Sequence, residues 1–341
     1  MIGVQWKEPD GVADVRALVQ GAINIEFATL PPYLYARFSI LPERNPTAAS
    51  RVQSVIGQEM VHMCLACNMM NAIGGTPAIN PPQYPGTLPH DVGGDLIVHL
   101  LPFSEAAMQQ GMAIEEPSEP IDPPTMLRAV DQGITIGEYY ARLKLALKAL
   151  PASAWTPDHN QVSDTQFFQG QIFAVNDYDD ASRAIDIIVS EGEGTPVAPG
   201  VTGSPLDFQN ELAHYYRFWE VERNQVLMKA PNPVGYAWGP PLGVDWEAVY
   251  PAIPDPEQHD FSQEPPDAQA AQIACNTAYT VMVDALVGAF NGKLGGLGEA
   301  VRAMFDLRMA AIKALNTPLA NGQSVAGPAF VYLGLGKGAI A

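Results

Sequence analysis

The chain has 341 residues, of which 47% are hydrophobic and 16% are charged. Its 37 acidic and 18 basic residues give a net charge of −19, which argues against nucleic acid or an anionic membrane surface as a partner, because both attract Lys and Arg. The hydrophobic share is sufficient for one large core or for two smaller domains.

The sequence also bears on the cellular compartment and on redox chemistry. It contains no apolar run of 18 residues, so we predict no transmembrane helix. The first ten residues lack the apolar segment of a secretory signal, and we expect a cytoplasmic protein. Three cysteines do not form a disulfide framework. Cys64 and Cys67 fall inside a predicted helix, where core packing is favoured over a redox or zinc role.

The first predicted helix covers residues 11–38 and carries Glu26. The neighbours of Glu26 are apolar on nearly every side, which suits a buried ligand better than a solvated charge. Pro31 and Pro32 predict a kink or a break further along, because proline has no backbone N–H to donate.

The second predicted helix covers residues 47–72 and carries the sequence Glu59-Met60-Val61-His62. Residues three apart on a helix share one face, so this Glu-x-x-His motif offers a carboxylate and an imidazole to the same point. The motif lies in an apolar stretch, where an unpaired carboxylate would be costly and where a metal ion would remove the cost.

A Pro- and Gly-rich connection covers residues 75–123. It is too long and too apolar to be a simple linker, and we expect it to pack over one end of the helices. A lid over the site is one form that this packing can take.

The third predicted helix covers residues 124–150 and carries Glu138. Two interpretations of Glu138 stay open. It can be an inward-facing ligand, or it can lie on an exposed face and pair with Arg142 at the i+4 position.

A further helix is predicted over residues 179–191, and two glutamates lie at its end. Glu191 and Glu193 each can supply a carboxylate to a metal or lie outside the ligand shell, and Glu193 is the favoured candidate of the two.

The last helix of this region is predicted over residues 205–223 and contains Glu211-Leu212-Ala213-His214. Two helices with a Glu-x-x-His motif and two more with one inward Glu each make the dinuclear site of ferritin-like four-helix bundles. We therefore predict an all-α, ferritin-like bundle. The candidate metal ligands are Glu26, Glu59, His62, Glu138, Glu193, Glu211 and His214, with Glu59 and Glu211 as candidate bridges.

Several stretches of the sequence resemble the ferritin-like family that includes the iminophenyl-pyruvate dimer synthases of bisindole pigment biosynthesis. The resemblance covers about residues 10–225, and the synthases are much longer chains, so their substrate is not implied here. By this resemblance Glu193 is also implied as a ligand, beside the residues that match the motifs of the family, which are Glu26, Glu59, His62, Glu138 and His214. The matching stretches are Ile25–Leu34, Glu59–Met63, Asn71–Pro77, Thr135–Tyr140, Gly192–Gly194 and Glu211–Phe218.

The C-terminal third is predicted to be an addition to the bundle. We predict a bundle over residues 1–230, including the crossover, and a wrapping segment with a helical pair over residues 231–341. This pair forms either a small subdomain or a homodimer contact.

Carboxylate and imidazole ligands in a bundle predict two iron ions, or two manganese ions, as the cofactor. The expected function is an O2-dependent oxidoreductase acting on a small-molecule substrate. An iron-binding or storage protein and a non-redox, imine-coupling enzyme are the alternatives.

Overall fold

The computed structural model describes residues 9–117, 134–194, 204–231 and 235–334. These residues fold mostly into helices, and the only strands among them form two small antiparallel pairs. The predicted all-α, ferritin-like class with a long crossover and additional C-terminal helices is confirmed. The helices are α1 (Val12–Ser39), α2 (Pro46–Ala72), α3 (Glu105–Ile114), α4 (Ile136–Lys148), α5 (Tyr178–Glu193), α6 (His214–Arg223), α7 (Pro266–Phe290) and α8 (Gly296–Leu315).

Helix α1 runs without a break through Pro31 and Pro32, so a break at these prolines was wrongly predicted, whereas the kink stays a prediction. A proline at position 32 leaves the carbonyl of Ala28 without its usual helical N–H donor. The Tyr84 hydroxyl, from the crossover, donates a hydrogen bond of 2.6 Å to that carbonyl oxygen. The crossover thus satisfies a buried backbone group that the proline leaves open, and the helix continues.

The crossover contains regular structure that the sequence analysis did not predict. Strands β1 (Gly86–Thr87) and β2 (Ile97–Val98) pair with each other, and α3 follows them. The Ser104 side chain accepts a hydrogen bond from the backbone of Ala107, which caps α3 at its start. Helix α3 packs closely on α6, and a side chain in place of Gly111 would collide with the Phe218 ring.

Helix α4 begins at Ile136, and the part of the predicted helix over residues 124–133 lies outside the described residues. The start is fixed by a capping box, in which the Thr135 side chain accepts from the backbone of Glu138 while the Glu138 carboxylate accepts from the backbone of Thr135.

Helix α6 begins at His214, not at residue 205 as predicted. The preceding residues form a tight loop instead. The Asp207 carboxylate accepts hydrogen bonds from the backbone N–H groups of Gln209 and Glu211, and Leu206 bridges to Leu212. Such local side-chain hydrogen bonds compete with helix formation. Glu211 and His214 are therefore not on one helical face.

Beyond α6, strands β3 (Gln225–Lys229) and β4 (Tyr236–Pro241) form a hairpin that leads into the C-terminal helices. Helices α7 and α8 pack against each other, and Tyr279, Met282 and Phe290 of α7 join the same hydrophobic core as α1 and α2. The division of the chain at residue 230 stays a prediction.

Helix α7 is long and apolar enough to cross a membrane by length and composition, with a mean hydropathy of 1.4 in an 18-residue window of which 39% is buried. This is weak evidence, because core helices of soluble proteins pass the same test. Here α7 contacts α8 and the common core.

Replacing Tyr84 with phenylalanine tests the hydrogen bond that supports the proline-containing part of α1. The loss of a hydrogen bond to a buried carbonyl is expected to lower the free energy of unfolding by about 1–2 kcal/mol. Urea denaturation of the Tyr84→Phe variant measures it. Tyr178→Phe is the control, because this hydroxyl has no hydrogen-bond partner among the described residues, and its effect is expected to stay within about 0.5 kcal/mol. Equal stability of Tyr84→Phe and wild type would contradict the account of α1.

Candidate metal centre

Three glutamates and two histidines meet in the interior of the bundle, and all five side chains are buried. They come from α1, from α2, from the residue that follows α3, and from the first residue of α6. The members are Glu26, Glu59, His62, Glu115 and His214.

The first half of the cluster consists of Glu26, Glu59 and His62. The Nδ1 atom of His62 lies 3.5 Å from Oε2 of Glu26 and 3.6 Å from Oε1 of Glu59. The candidate ligand atoms of the three residues all lie within 4.8 Å of one another, close enough to hold one metal ion.

The second half consists of Glu59, Glu115 and His214, whose candidate ligand atoms satisfy the same 4.8 Å limit. The Nδ1 atom of His214 lies 2.8 Å from Oε1 of Glu59 and 3.6 Å from Oε2 of Glu115. The two imidazole rings are stacked, with 5.4 Å between their centroids. Oε1 of Glu59 is thus the atom that both halves share.

The far sides of both imidazoles are held by hydrogen bonds. Nε2 of His62 lies 2.7 Å from Oε2 of Glu191, and Nε2 of His214 lies 3.1 Å from Oε1 of Gln58. Each of these oxygens is an acceptor, so each Nε2 carries a proton and donates it. In the neutral ring the lone pair then belongs to Nδ1, the atom that faces the carboxylates. Metal-binding histidines are oriented in this way.

Each carboxylate of the cluster has one oxygen held by a hydroxyl group and the other oxygen turned towards the imidazoles. The hydroxyls of Tyr140 and Tyr33 donate to Oε1 of Glu26 and Oε1 of Glu115, each over 2.6 Å. The Thr29 hydroxyl donates to Oε2 of Glu59 over the same distance. The oxygens that remain are the ones that approach Nδ1 of the histidines.

The residues fit a bound metal pair. Nδ1 of His214 is buried and has no hydrogen-bond partner within the described part of the chain, although a carboxylate oxygen lies only 2.8 Å away. A nitrogen lone pair and a carboxylate oxygen are both electron-rich, so they require a proton or a cation between them. The donor set of carboxylate oxygens and imidazole nitrogens suits iron or manganese.

In the metal-free cluster, protons have to take the place of the cations. Burial and the neighbouring charge of Glu59 raise the pKa of Glu26 to about 7. The same two causes raise the pKa of Glu115. Burial would also raise the pKa of Glu59, but its close contacts with the imidazoles of His214 and His62 outweigh burial and lower it.

The histidines show the complementary behaviour. Burial alone would lower the pKa of each imidazole, but the nearby carboxylates of Glu191 and Glu26 raise the pKa of His62, and those of Glu115 and Glu59 raise the pKa of His214. Metal ions that bind to these groups must displace protons, so metal binding is expected to release protons and to weaken as the pH falls.

Comparison with known proteins identifies the family to which this fold belongs. A family model described as Ferritin-like matches residues 19–223, which is more than half of the chain. The chain belongs to the ferritin-like family. It is similar to the solved structure of a ferritin-like protein from Caulobacter vibrioides, with a TM-score of 0.65 and 21% sequence identity over 95% of this chain and 99% of that one. At this identity the likeness shows the fold alone. No curated protein matches the sequence.

Of the seven ligands predicted from the sequence of this ferritin-like protein, the structure brings four together in the cluster. These are Glu26, Glu59, His62 and His214. A specific relation to the iminophenyl-pyruvate dimer synthases stays a prediction.

The structure places the other three predicted ligands elsewhere. Glu138 is exposed and caps α4. Oε1 of Glu193 accepts a hydrogen bond of 2.7 Å from the backbone of Gly137, which ties the end of α5 to the start of α4. The Glu211 side chain is 67% exposed and pairs with Arg217. Glu138 and Glu211 are thus turned to the surface, and Glu193 is not among the residues of the cluster.

Glu115 is the ligand candidate that the sequence analysis missed. Glu191 is the carboxylate that the sequence analysis ranked below Glu193 as a candidate. Both are buried. Glu115 follows a short helix inside the Pro-rich crossover, where no Glu-x-x-His spacing marks it. The available sequence signal is Ser104, a cap residue, followed by an apolar-rich stretch up to Ile114. This signal predicts a short helix, but it does not place Glu115 in the site.

Metal content of the variants tests which carboxylates belong to the centre. The wild-type protein is expected to hold about two metal ions per chain, because each half of the cluster offers a carboxylate and an imidazole besides the shared Glu59. Glu115→Gln should lose about one of them and Glu59→Gln should lose both. Glu138→Gln and Glu211→Gln are the matched controls and should keep both. Plasma mass spectrometry of the purified proteins gives the stoichiometry. Full metal retention in Glu115→Gln, or metal loss in Glu138→Gln, would contradict this assignment.

Proposed function

We propose that the buried cluster binds two iron ions, or two manganese ions, and that the protein is an O2-dependent oxidoreductase acting on a small organic substrate. The observation that carries this proposal is the arrangement around Oε1 of Glu59, which faces both imidazoles. Each half then has its own carboxylate and its own imidazole, and one carboxylate is shared between the halves.

Charge supports a pair of divalent ions. The three carboxylates of the cluster and the neighbouring Glu191 together carry four negative charges when ionised, which balances two divalent cations. Without cations, this many carboxylates would not stay ionised in a buried site.

The small number of protein ligands supports reactivity rather than a purely structural role. If each of the three carboxylates and two histidines binds through the atoms that face the centre, several coordination positions remain for exogenous molecules. Iron or manganese bound here would supply the electrons with which O2 is reduced.

The surrounding residues exclude water and donate hydrogen bonds at fixed positions. Burial raises the pKa of the Tyr33 and Tyr140 hydroxyls well above the usual value, and the nearby carboxylates raise it further. Both hydroxyls therefore keep their protons and remain hydrogen-bond donors to Glu115 and Glu26. This holds one oxygen of each outer carboxylate in place.

The proposal includes a cytoplasmic location, which agrees with three buried cysteines that form no disulfide. Iron storage is the second candidate, because a buried carboxylate cluster also suits iron oxidation without an organic substrate. The long connections of this chain argue against a storage shell, which needs many copies of a short subunit.

Oxygen consumption tests the proposed reaction. The protein is loaded with Fe(II) without oxygen and then mixed with O2 in an electrode chamber, in the presence of a reductant. We expect repeated O2 uptake by the wild type and at least a tenfold slower rate for Glu59→Gln, because that variant lacks the shared carboxylate. Glu138→Gln is the control and should react as the wild type does.

Three outcomes would contradict the proposed reaction. If the protein consumes no O2 when it is loaded with iron or with manganese, the proposed oxidoreductase activity is contradicted. Assemblies of many subunits that hold far more than two irons per chain would favour storage. An imine-coupling activity that persists without O2 would favour the non-redox enzyme.

A further inference from the structure

A cavity lies apart from the metal cluster, between helices α1 and α2, the loop around residues 167–168 and the C-terminal helices α7 and α8. Its volume is about 420 Å³, which falls in the range of pockets that hold small molecules. None of the five residues of the metal cluster lines it. On α1 the lining residues are spaced three and four apart, so they form one face of that helix. They are Phe27, Leu30, Pro31 and Leu34.

The wall of this cavity is mostly apolar. It includes Phe27 and Leu30 of α1, Met60 and Met63 of α2, and Met304 of α8. Methionine side chains adapt to irregular apolar ligands. The cavity therefore suits the body of an apolar molecule, chain-like or ring-like.

Two arginines, Arg37 at the end of α1 and Arg308 on α8, line the same cavity. Within the described residues, neither has an ion pair, and Nε of Arg37 is buried without a hydrogen-bond partner. The positions three and four residues away on their own helices are not acidic, so no helical neighbour neutralises them. Burial and the positive charge of Arg308 lower the pKa of Arg37, as expected for two guanidinium groups that repel each other.

Acidic residues outnumber basic ones about two to one in this chain, yet no carboxylate of the described residues forms an ion pair with either arginine. Two unpaired guanidinium groups at one apolar cavity leave a place for a negative charge that the described residues do not supply. A carboxylate has two oxygens and can accept from both.

We propose that this cavity is a binding site for an apolar carboxylate, with the apolar body in the cavity and the carboxylate between Arg37 and Arg308. The site is separate from the metal centre, and its existence does not depend on the proposed reaction.

The first test uses the wild-type, full-length protein and a series of ligands in isothermal titration calorimetry. Decanoate and naphthalene-2-carboxylate probe a chain-like and a ring-like body with the same head group. Decan-1-ol and decyltrimethylammonium replace that head group with a neutral and a cationic one. We expect saturable binding of at least one carboxylate at about one site per chain, with affinity at least tenfold higher than that for the alcohol, and no binding of the cation.

The second test uses variants. Arg37→Gln/Arg308→Gln should weaken carboxylate binding about tenfold to hundredfold and leave decan-1-ol binding unchanged, because only the charge-assisted hydrogen bonds are lost. Arg302→Gln, an exposed arginine of α8 that does not line the cavity, should bind as the wild type does. Met304→Trp fills the cavity and should abolish binding of both ligands.

Metal content, measured on the same samples, separates this proposal from the metal centre, because all three variants should retain the wild-type metal content. No saturable carboxylate binding by the wild type, or equal affinity for decanoate and decan-1-ol, would overturn the proposal. A wild-type dimer that becomes monomeric in Met304→Trp would assign the cavity to a second copy of the chain, and would also overturn it.

Discussion

The structure depends on the burial of three carboxylates and two imidazoles around one shared atom, Oε1 of Glu59. Isolated charges of this number are costly in a protein interior, and each must be matched by an opposite charge or a hydrogen bond. Helices α1 and α2 supply the long apolar surfaces that remove the site from water. The helices pack around a polar centre whose negative charges must be balanced by cations, or by protons in their place.

In each polar side chain of the centre, one atom is held by a hydrogen bond from outside the cluster and another atom faces the cluster. Tyr33, Tyr140 and Thr29 each hold the outer oxygen of one carboxylate. Glu191 and Gln58 hold the outer nitrogens of the histidines. The inner atoms face one another and are not used in hydrogen bonds elsewhere, which is the orientation that a bound metal ion would need. The two outer partners of the histidines differ in charge, which makes the two halves of the centre electronically unequal.

The sequence predicted the part of this site that depends on helical periodicity. Glu59 and His62 lie on one continuous helix, so their spacing translated directly into geometry, and the apolar setting of Glu26 identified its inward position. The second Glu-x-x-His motif does not form one helical face, because hydrogen bonds to Asp207 hold the chain in a loop up to α6. Of this motif, only His214 faces the centre. Glu115 comes from the crossover, and its position depends on the packing of α3 against α6, which no local pattern reveals.

The most direct test of the central claim is the location of the metals by anomalous X-ray diffraction, recorded above the iron and manganese absorption edges from crystals of the metal-loaded protein. The account predicts two anomalous peaks, one beside Glu26 and His62 and one beside Glu115 and His214, with the Glu59 carboxylate contacting both. A single peak would contradict the dinuclear centre. A second metal bound by Glu138, Glu193 or Glu211 in place of Glu115 would contradict the ligand assignment.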